Sequence, residues 1–311
     1  MKINSIIVTH NAARWIDRCF GSLLSSDLSV KICAIDNASI DNTPAIIRNK
    51  YPQTELLEMG ENLGFGRANN VGLTRALNDG ADYVFLLNQD AWVEAATIRL
   101  LAECMSRTGF DILSPLQYTG KGDALDRYFA LYLGPTAVPE FNTDYSAKSL
   151  RETYEVKFVN AAAWLISRKC LLTLGGFAPV FRHYGEDRDY VNRLHFHGLR
   201  MGVLTNARIF HDRPQISMMD RSVRRYTGQL VILSDVNRTF MSAIIRSMTG
   251  AMRHFSSCLL RFDIPSFLRY AGLLNRLLLT LLKIQRCRAI ARRPGICFLN
   301  NSEHPTRTKG Q

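Results

Sequence analysis

An apolar run in residues 83–94, YVFLLNQDAWVE, stops at Asn88-Gln89-Asp90 before helix-forming residues resume. Val84-Phe85-Leu86-Leu87 reads as a strand buried on both faces, so Asp90 emerges at the carboxyl edge of a sheet, where open α/β folds place ligands. A single carboxylate at that edge can hold a divalent cation against a diphosphate. It can equally cap a helix beginning near Ala95.

Three other groups have comparable chemistry. Asp36-Asn37-Ala38-Ser39 follows a second apolar run, where a carboxylate can recognise a nucleoside through an imide N–H or a ribose hydroxyl, or form an Asx turn. Residues 60–70, GENLGFGRANN, read GxxxGxG rather than GxGxxG and follow no long strand, which argues against a dinucleotide-binding dehydrogenase. Gly64 and Gly66 allow a ligand close to the backbone, Arg67 could meet a diphosphate, and Asn62, Asn69 and Asn70 cluster beside them. Residues 183–189, HYGEDRD, place three carboxylates at a helix start. The helix dipole favours acids there, but a carboxylate so presented also suits a general base toward a hydroxyl. Asp187 is the expected base, Glu186 an acceptor-binding partner and Asp189 a structural residue. His211 ends an apolar stretch and is either an ordinary packed histidine or a ligand, whereas His195 and His197 lie mid-helix. Hard oxygen donors beside a nucleotide favour Mg²⁺ or Mn²⁺, and a histidine tilts the choice slightly toward Mn²⁺.

The elements that must position these groups follow from periodicity. Strands are expected at 3–9, 30–36, 55–57, 83–87, 111–114, 157–167 and 201–204, with helices at 12–25, 43–51, 67–78, 95–108, 168–174 and 186–197. This βα alternation implies an α/β fold with a mainly parallel sheet and right-handed crossovers. Residues 115–156 lose periodicity and read as an irregular excursion over the site.

Charge divides the chain. Residues 1–211 hold 22 Lys/Arg and 22 Asp/Glu, while 212–311 hold 17 and 5, so the whole net charge of +12 lies in the last hundred residues. With no aromatic-studded RNA motif or zinc finger, such a region suits an anionic membrane surface and not nucleic acid, or is a solvated basic helix face with no dedicated partner. Helical spacing through 223–244 predicts one long helix, and residues 267–284 are leucine-dense after a helix start at Asp263-Ile264-Pro265. Arg269, Arg276 and Lys283, seven apart, predict a cationic face opposite the leucines, as in a helix lying in a membrane interface. A small appended bundle or a homodimer contact accounts for the leucines too. Residues 292–311 read as a flexible tail. Seven scattered cysteines, with no CxxC pair and no signal peptide, imply reduced thiols in the cytoplasm, with neither disulfides nor a zinc site.

Taken together, VTHNA at 8–12, DNASIDNT at 36–43, GENLGFGRANNVG at 60–72, LLNQDA at 86–91, NAAAWLISR at 160–168 and GEDRDYVNRL at 185–194 resemble family 2 glycosyltransferases of the GT-A fold, particularly their rhamnosyltransferase-like branch. The resemblance covers residues 1–213 as the catalytic domain, with 214–291 as a basic helical region and 292–311 as the tail. It implies inverting transfer from a dTDP- or UDP-sugar, one divalent cation, and attack by an acceptor hydroxyl, here of a lipid-linked saccharide in the building of a cell-surface polysaccharide such as O-antigen. By position, Asp36, Asn62, Gly64, Arg67 and Gln89 would bind the nucleotide, Asp90 and His211 the cation, and Asp187 would be the base. Trp164 and Glu186 would lie by the acceptor. Asn88-Gln89-Asp90 departs from the family's DxD pattern in carrying a single acid. The expected location is cytoplasmic, peripheral to the inner face of the cell membrane. A sugar-1-phosphate nucleotidyltransferase and a non-catalytic membrane-binding protein that kept the fold are the alternatives; the former would need a phosphate loop after the first strand, where Thr9-His10-Asn11-Ala12 stands.

Overall fold

The structure, a computed structural model, describes residues 1–213 and 220–299. Short apolar runs and amphipathic segments alternate as β1 (Ile3–Thr9), α1 (Ile16–Leu24), β2 (Lys31–Asp36), α2 (Thr43–Lys50), β3 (Glu55–Glu58), α3 (Phe65–Asn78) and β4 (Tyr83–Leu87). Next come β5 (Ala91–Val93), α4 (Thr97–Thr108), β6 (Ile112–Thr119), α5 (Arg127–Tyr132), α6 (Pro139–Ser146), β7 (Thr153–Glu155), β8 (Ala163–Ser167), α7 (Arg168–Leu174), α8 (Glu186–Phe196) and β9 (Met201–His211). Among the described residues the strands form one nine-stranded sheet in the order β3-β2-β1-β4-β8-β6-β9-β5, with β7 added against β9. β1, β2, β3 and β4 pair in parallel, as do β6 and β9, whereas β8 runs antiparallel to both β4 and β6. One core lies under α3, α7 and α8 and includes Leu73, Trp164 and Tyr190; the other lies under α1, α2 and α4 and includes Phe20, Ile47 and Leu101. Both faces of the central strands are therefore buried, which is why their sequences are continuously apolar.

Several expectations need correction. Asp90 does not cap the next helix, because β5 intervenes and α4 starts at Thr97 behind Ala96. Only 163–167 of the expected strand 157–167 is extended in the sheet, and residues 201–211 are one long strand. The excursion after Pro115 is ordered: β6 continues to Thr119, Asp126 caps α5 by accepting from the Phe129 N–H at 2.9 Å, and β7 pairs with β9.

The C-terminal part is helical, with α9 (Arg221–Ser234), α10 (Phe240–Leu260), α11 (Ile264–Leu279) and α12 (Leu281–Ala291). The single long helix expected over 223–244 breaks after Ser234, and Thr239 starts α10 by accepting from the Ser242 N–H at 3.2 Å. Asp263 caps α11 as its sequence predicts, accepting from the Ser266 N–H at 3.1 Å. The leucine-dense run divides at Thr280. Leu277 and Ile284 turn inward with Tyr270, while Leu268, Leu278, Leu279 and Leu282 are exposed beside the exposed Arg269, Arg276 and Lys283. Cations and apolar side chains are thus interleaved on the outer surface, not opposed across the helix. No helix among the described residues is long and apolar enough to cross a membrane.

Residues 292–299, expected to begin a flexible tail, dock instead against the catalytic part. The Gly295 N–H donates to the Thr173 carbonyl at 2.9 Å, and the Gly176 N–H to that of Cys297 at 2.7 Å. Asn70 Nδ2 donates to the Phe298 carbonyl at 3.1 Å. A Cβ on Gly175 or Gly176 would overlap this strap. Residues 214–219, which open the expected basic region, and 300–311 of the expected tail lie outside the described residues. All seven cysteines are free thiols, and six are buried.

Candidate active site

The carboxyl ends of β1, β2 and β4 share one edge of the sheet and carry Thr9, Asp36 and the start of Asn88-Gln89-Asp90. Asp36 is buried and accepts from the Thr9 hydroxyl at 3.0 Å, the Ser39 hydroxyl at 2.6 Å and the Ser39 N–H at 3.0 Å. Asn37, also buried, joins this strand end to the glycine loop: its Nδ2 donates to Asn62 Oδ1 at 3.0 Å, and its Oδ1 accepts from the Leu63 N–H at 2.7 Å. Asn62 Oδ1 accepts from the Gly64 N–H as well, at 2.9 Å. Asp36 and Asn62 thus stand together at one loop cluster. Three non-glycine residues around the edge hold left-handed backbone, Asn11, Ala38 and Tyr184, at φ of 51°, 61° and 66°. Such strain persists where surrounding contacts over-determine it, commonly at functional sites.

The glycines and amides of this loop serve the protein's own packing. Gly64 sits at φ 80°, and a Cβ there would lie 2.1 Å from the Arg182 carbonyl oxygen. The backbone that approaches Gly64 is therefore the 176–185 loop, not a ligand. Gly66 makes room for Phe177 and Glu186. Asn70 clasps both polar groups of Phe177, and Asn69 donates to the Phe65 carbonyl within α3 at 3.0 Å. Arg67 is exposed with its Nε on the Leu63 carbonyl at 2.8 Å, so the rest of its guanidinium faces outward at the helix start.

Gln89 is spent inside the fold. Its Oε1 accepts from the His10 N–H at 2.7 Å and its Nε2 donates to the His10 carbonyl at 3.3 Å, clamping the end of β1. Asp90 is different. His211, fully buried at the end of β9, brings Nε2 within 3.2 Å of Asp90 Oδ1, and the carboxylate is about one-fifth exposed. β5 creates this meeting, since Ala91 pairs with His211 and the Asp212 N–H donates to the Asp90 carbonyl at 2.8 Å. His211 Nδ1 is buried without a partner, so no second hydrogen bond commits the ring to one tautomer. A carboxylate and an imidazole converging at a sheet edge are a donor set that could hold Mg²⁺ or Mn²⁺. Among the described residues no third His, Cys, Asp or Glu joins them as a cluster.

At the start of α8 the three acids separate by environment. Asp189 is buried and accepts from Arg193 Nε at 3.0 Å; Arg193 also donates to the Leu174 and Gly176 carbonyls, so this pair holds the 170–176 segment. Glu186 is almost fully buried, its Oε2 has no partner, and burial followed by the charge of Asp187 pushes its carboxyl up to about 7. Asp187 is partly exposed. Burial of its carboxyl raises it above the ordinary carboxylate range, partly offset by the Arg188 N–H at 2.7 Å and the Ala161 N–H. A carboxyl held above its usual range and still reachable suits a general base near neutral pH. The contact with Ala161 also fixes its place: the neighbouring Ala162 carbonyl accepts from the Asn88 N–H at 2.9 Å, two residues before Asp90.

Trp164 does not face an acceptor. Its side chain is completely buried in β8, 6.0 Å from the Tyr190 ring, and its indole N–H has no partner, so its work is core packing. The residues the sequence left unassigned are those tying the site together: Thr9 and Ser39 on Asp36, and Asn37 on the glycine loop. Arg188 lies 3.8 Å over the Phe158 ring, which meets Tyr132 of α5 edge-on at 4.9 Å. No phosphate loop follows β1, because the N–H groups of His10, Asn11 and Ala12 go to Gln89, Ser39 and Thr43.

Comparison with known proteins accords with this geometry. A model of the family described as glycosyl transferase family 2 matches residues 5–175, more than half of the chain and ending before Asp187 and His211. N-acetylglucosaminyl-diphospho-decaprenol L-rhamnosyltransferase of Mycobacterium tuberculosis is 24% identical over 282 residues, covering 82% of this chain and 92% of that protein. Residues 1–349 of S. aureus TarS in complex with UDP-GlcNAc match with a TM-score of 0.56 at 15% identity, covering 88% of this chain and 80% of that one. The mannosyltransferase PcManGT from Pyrobaculum calidifontis, in complex with GDP-Man and Mn²⁺, also gives 0.56 at 15% identity, covering 94% and 86%. At such identities the structures speak for the fold, and the expected GT-A architecture is observed. The chain belongs to glycosyl transferase family 2 and is rhamnosyltransferase-like within it.

Proposed function

We propose that the protein transfers a sugar, in the first instance L-rhamnose, from a dTDP- or UDP-linked donor to a hydroxyl of a lipid-linked saccharide, with inversion at the anomeric carbon. The product belongs to a cell-surface polysaccharide such as O-antigen. The observation that supports this reading is the run of contacts from Asp187 through Ala161 and Ala162 to Asn88, which links the helix start carrying Asp187 to the strand end that leads to Asp90. Asp36, Asn62 and Arg67 form the nucleotide side of the site, and Gln89 fixes His10 beside it. Glu186 borders the acceptor. Asp187 takes the proton of the acceptor hydroxyl while that oxygen bonds to the anomeric carbon and the bond from this carbon to the diphosphate oxygen breaks. A divalent cation held by Asp90 and His211 supplies charge neutralisation of the leaving nucleoside diphosphate.

The activity for which the mycobacterial relative is named supports the sugar and a polyprenyl diphosphate-linked acceptor, and the ligands of the two solved neighbours support a nucleotide-sugar donor and a metal. Residues 1–213 carry the chemistry, and 214–291 hold the enzyme peripherally on the cytoplasmic face of the membrane.

The test is nucleoside diphosphate release by the purified protein across a panel of nucleotide sugars, with and without chelator. One dTDP- or UDP-sugar should give cation-dependent release, and Asp187→Asn should lower transfer by at least about 10²-fold while nucleotide binding stays nearly intact. Near-normal turnover of Asp187→Asn would overturn the base assignment, and undiminished release under chelator the metal assignment.

A further inference from the structure

Away from this site, α9, α10 and α11 line an open cavity of about 380 Å³. Its polar lining consists of Arg225 and Gln229 from α9, Arg253, His254 and Ser257 from α10, and Tyr270 from α11, with no carboxylate among the lining residues. Two of these groups are poorly satisfied. Gln229 Oε1, an acceptor, is buried without a partner, and the Tyr270 hydroxyl, on a residue 0% exposed, has only the Gln229 side chain next to it and no well-formed hydrogen bond. Buried polar groups of this kind call for an occupant that completes their hydrogen bonds.

The lining also fixes the sign of that occupant. Neither Arg225 nor Arg253 forms a salt bridge among the described residues. Arg225 Nη1 donates to His254 Nε2 at 3.0 Å, which makes His254 the acceptor and leaves its ring neutral. The ring in turn packs edge-on against Tyr270 at 4.3 Å. Two guanidiniums and the Tyr270 hydroxyl are therefore the donors that line this space, a set that recognises a phosphoryl group, while Gln229 Oε1 remains an acceptor. Gly228 keeps the space open: it lies inside α9, where glycine weakens a helix, and a Cβ there would meet nothing within 4 Å.

The rest of the ligand is apolar by the same reasoning. Met252, Leu259 and Leu260 are exposed on α10, which also contributes Arg253 to the cavity. A second copy of the chain would bring an equally basic region against this face, whereas an anionic bilayer complements both its charge and its apolar surface. We propose that the cavity binds the phosphoryl head group of an acidic lipid. The lipid half of the proposal rests on the membrane-associated role given above; the anion chemistry rests on the cavity. Its position has a functional side, because the opposite face of α9 presents Thr227 and Val231 to Gly185, the residue before Glu186. An occupied cavity is thus one helix diameter, about 10 Å, from the proposed acceptor corner.

The experiment is flotation of the full chain with phosphatidylcholine vesicles carrying either phosphatidate or phosphatidylserine at matched surface charge. Wild type should prefer phosphatidate by roughly tenfold. The double substitution Arg225→Gln/Arg253→Gln and the cavity-filling Gly228→Leu, which favours the helix, should both lose the preference while keeping binding to phosphatidylserine and thermal stability. Equal affinity of wild type for the two vesicles, or a preference that survives Gly228→Leu, would overturn the site. Calorimetry with inorganic pyrophosphate on wild type and Gly228→Leu, both of which keep the donor site, separates the sources. Saturable binding lost in Gly228→Leu, without a phosphatidate preference, would assign a soluble anion and overturn the lipid half. None of these readouts uses sugar transfer, so their failure is distinct from failure of the glycosyltransferase reading.

Discussion

Glu186 holds a carboxyl in a place where its charge is not welcome, with one oxygen buried and unpartnered and Asp187 alongside. Its folded value of about 7 stands above the ordinary 4.5, and the sign of the consequence follows. Below pH 4.5 the group is protonated in folded and unfolded chains alike and costs nothing. As pH rises from there to about 7 the unfolded chain gains by releasing its proton while the folded chain retains it, so stability falls across that window by up to roughly 3 kcal/mol. Glu186→Gln should therefore raise the melting temperature at pH 8 and leave it nearly unchanged at pH 4, as thermal melts at the two pH values would show. The same desolvation acts on Asp187, and the two carboxyls titrate as a pair, so the acid limb of kcat/KM should lie above the usual carboxylate range. Asp36 marks the other extreme: three donors hold it, two on Oδ1 and one on Oδ2, so recognition of a nucleoside there uses the remaining acceptor capacity of an acid already locked in place.

The elements explain why some residues are reachable and others are not. Because β8 runs antiparallel to β4, the beginning of β8 lies at the ligand edge, and residues 160–162 meet Asp187 and Asn88 there. Trp164 is already one residue inside the strand and points into the core under α8. Trp164→Phe should leave the acceptor KM unchanged and cost about 1–2 kcal/mol of stability, the lost packing being partly offset by removal of a buried, unpaired N–H. A several-fold rise in KM at unchanged stability would return Trp164 to the acceptor. The parallel half of the sheet, Asp90 at its edge and Asp187 at a helix start were legible because period-two and period-3.6 patterns are local. The partners of these residues were not, since they depend on pairing across the chain. β5 has only three residues, too few to carry a period, yet it sets Asp90 against His211. The amides of Asn69 and Asn70 look like ligand groups in sequence and prove to be packing groups, because their acceptors are backbone carbonyls, one of them 228 positions away.

On the scale of the molecule the basic helices are an integral part of the enzyme. Ala178 and Phe181, just before α8, share a core with Leu230, Leu233 and Leu277, and Arg288 donates to the carbonyls of Leu233, Asp235 and Arg238. The uneven charge of the chain reflects this construction: the neutral first two-thirds surrounds the reactive edge, and the cations gather on the helices that cover one flank of it. The docked strap at 295–299 adds a consequence for anyone handling the protein. Six thiols are buried, and burial pushes those of Cys19, Cys33 and Cys170 well above the range in which they ionise, whereas Cys297 is partly exposed on the strap itself. Unmodified native protein should accordingly react with a maleimide dye at one equivalent, found at Cys297 by peptide mapping, and at seven after denaturation. Faster modification of the others would contradict the packing described. The wild-type chain thus carries its own single-site spectroscopic reporter, placed where fluorescence can follow release and re-docking of the strap against Gly175 and Gly176 without any engineered cysteine.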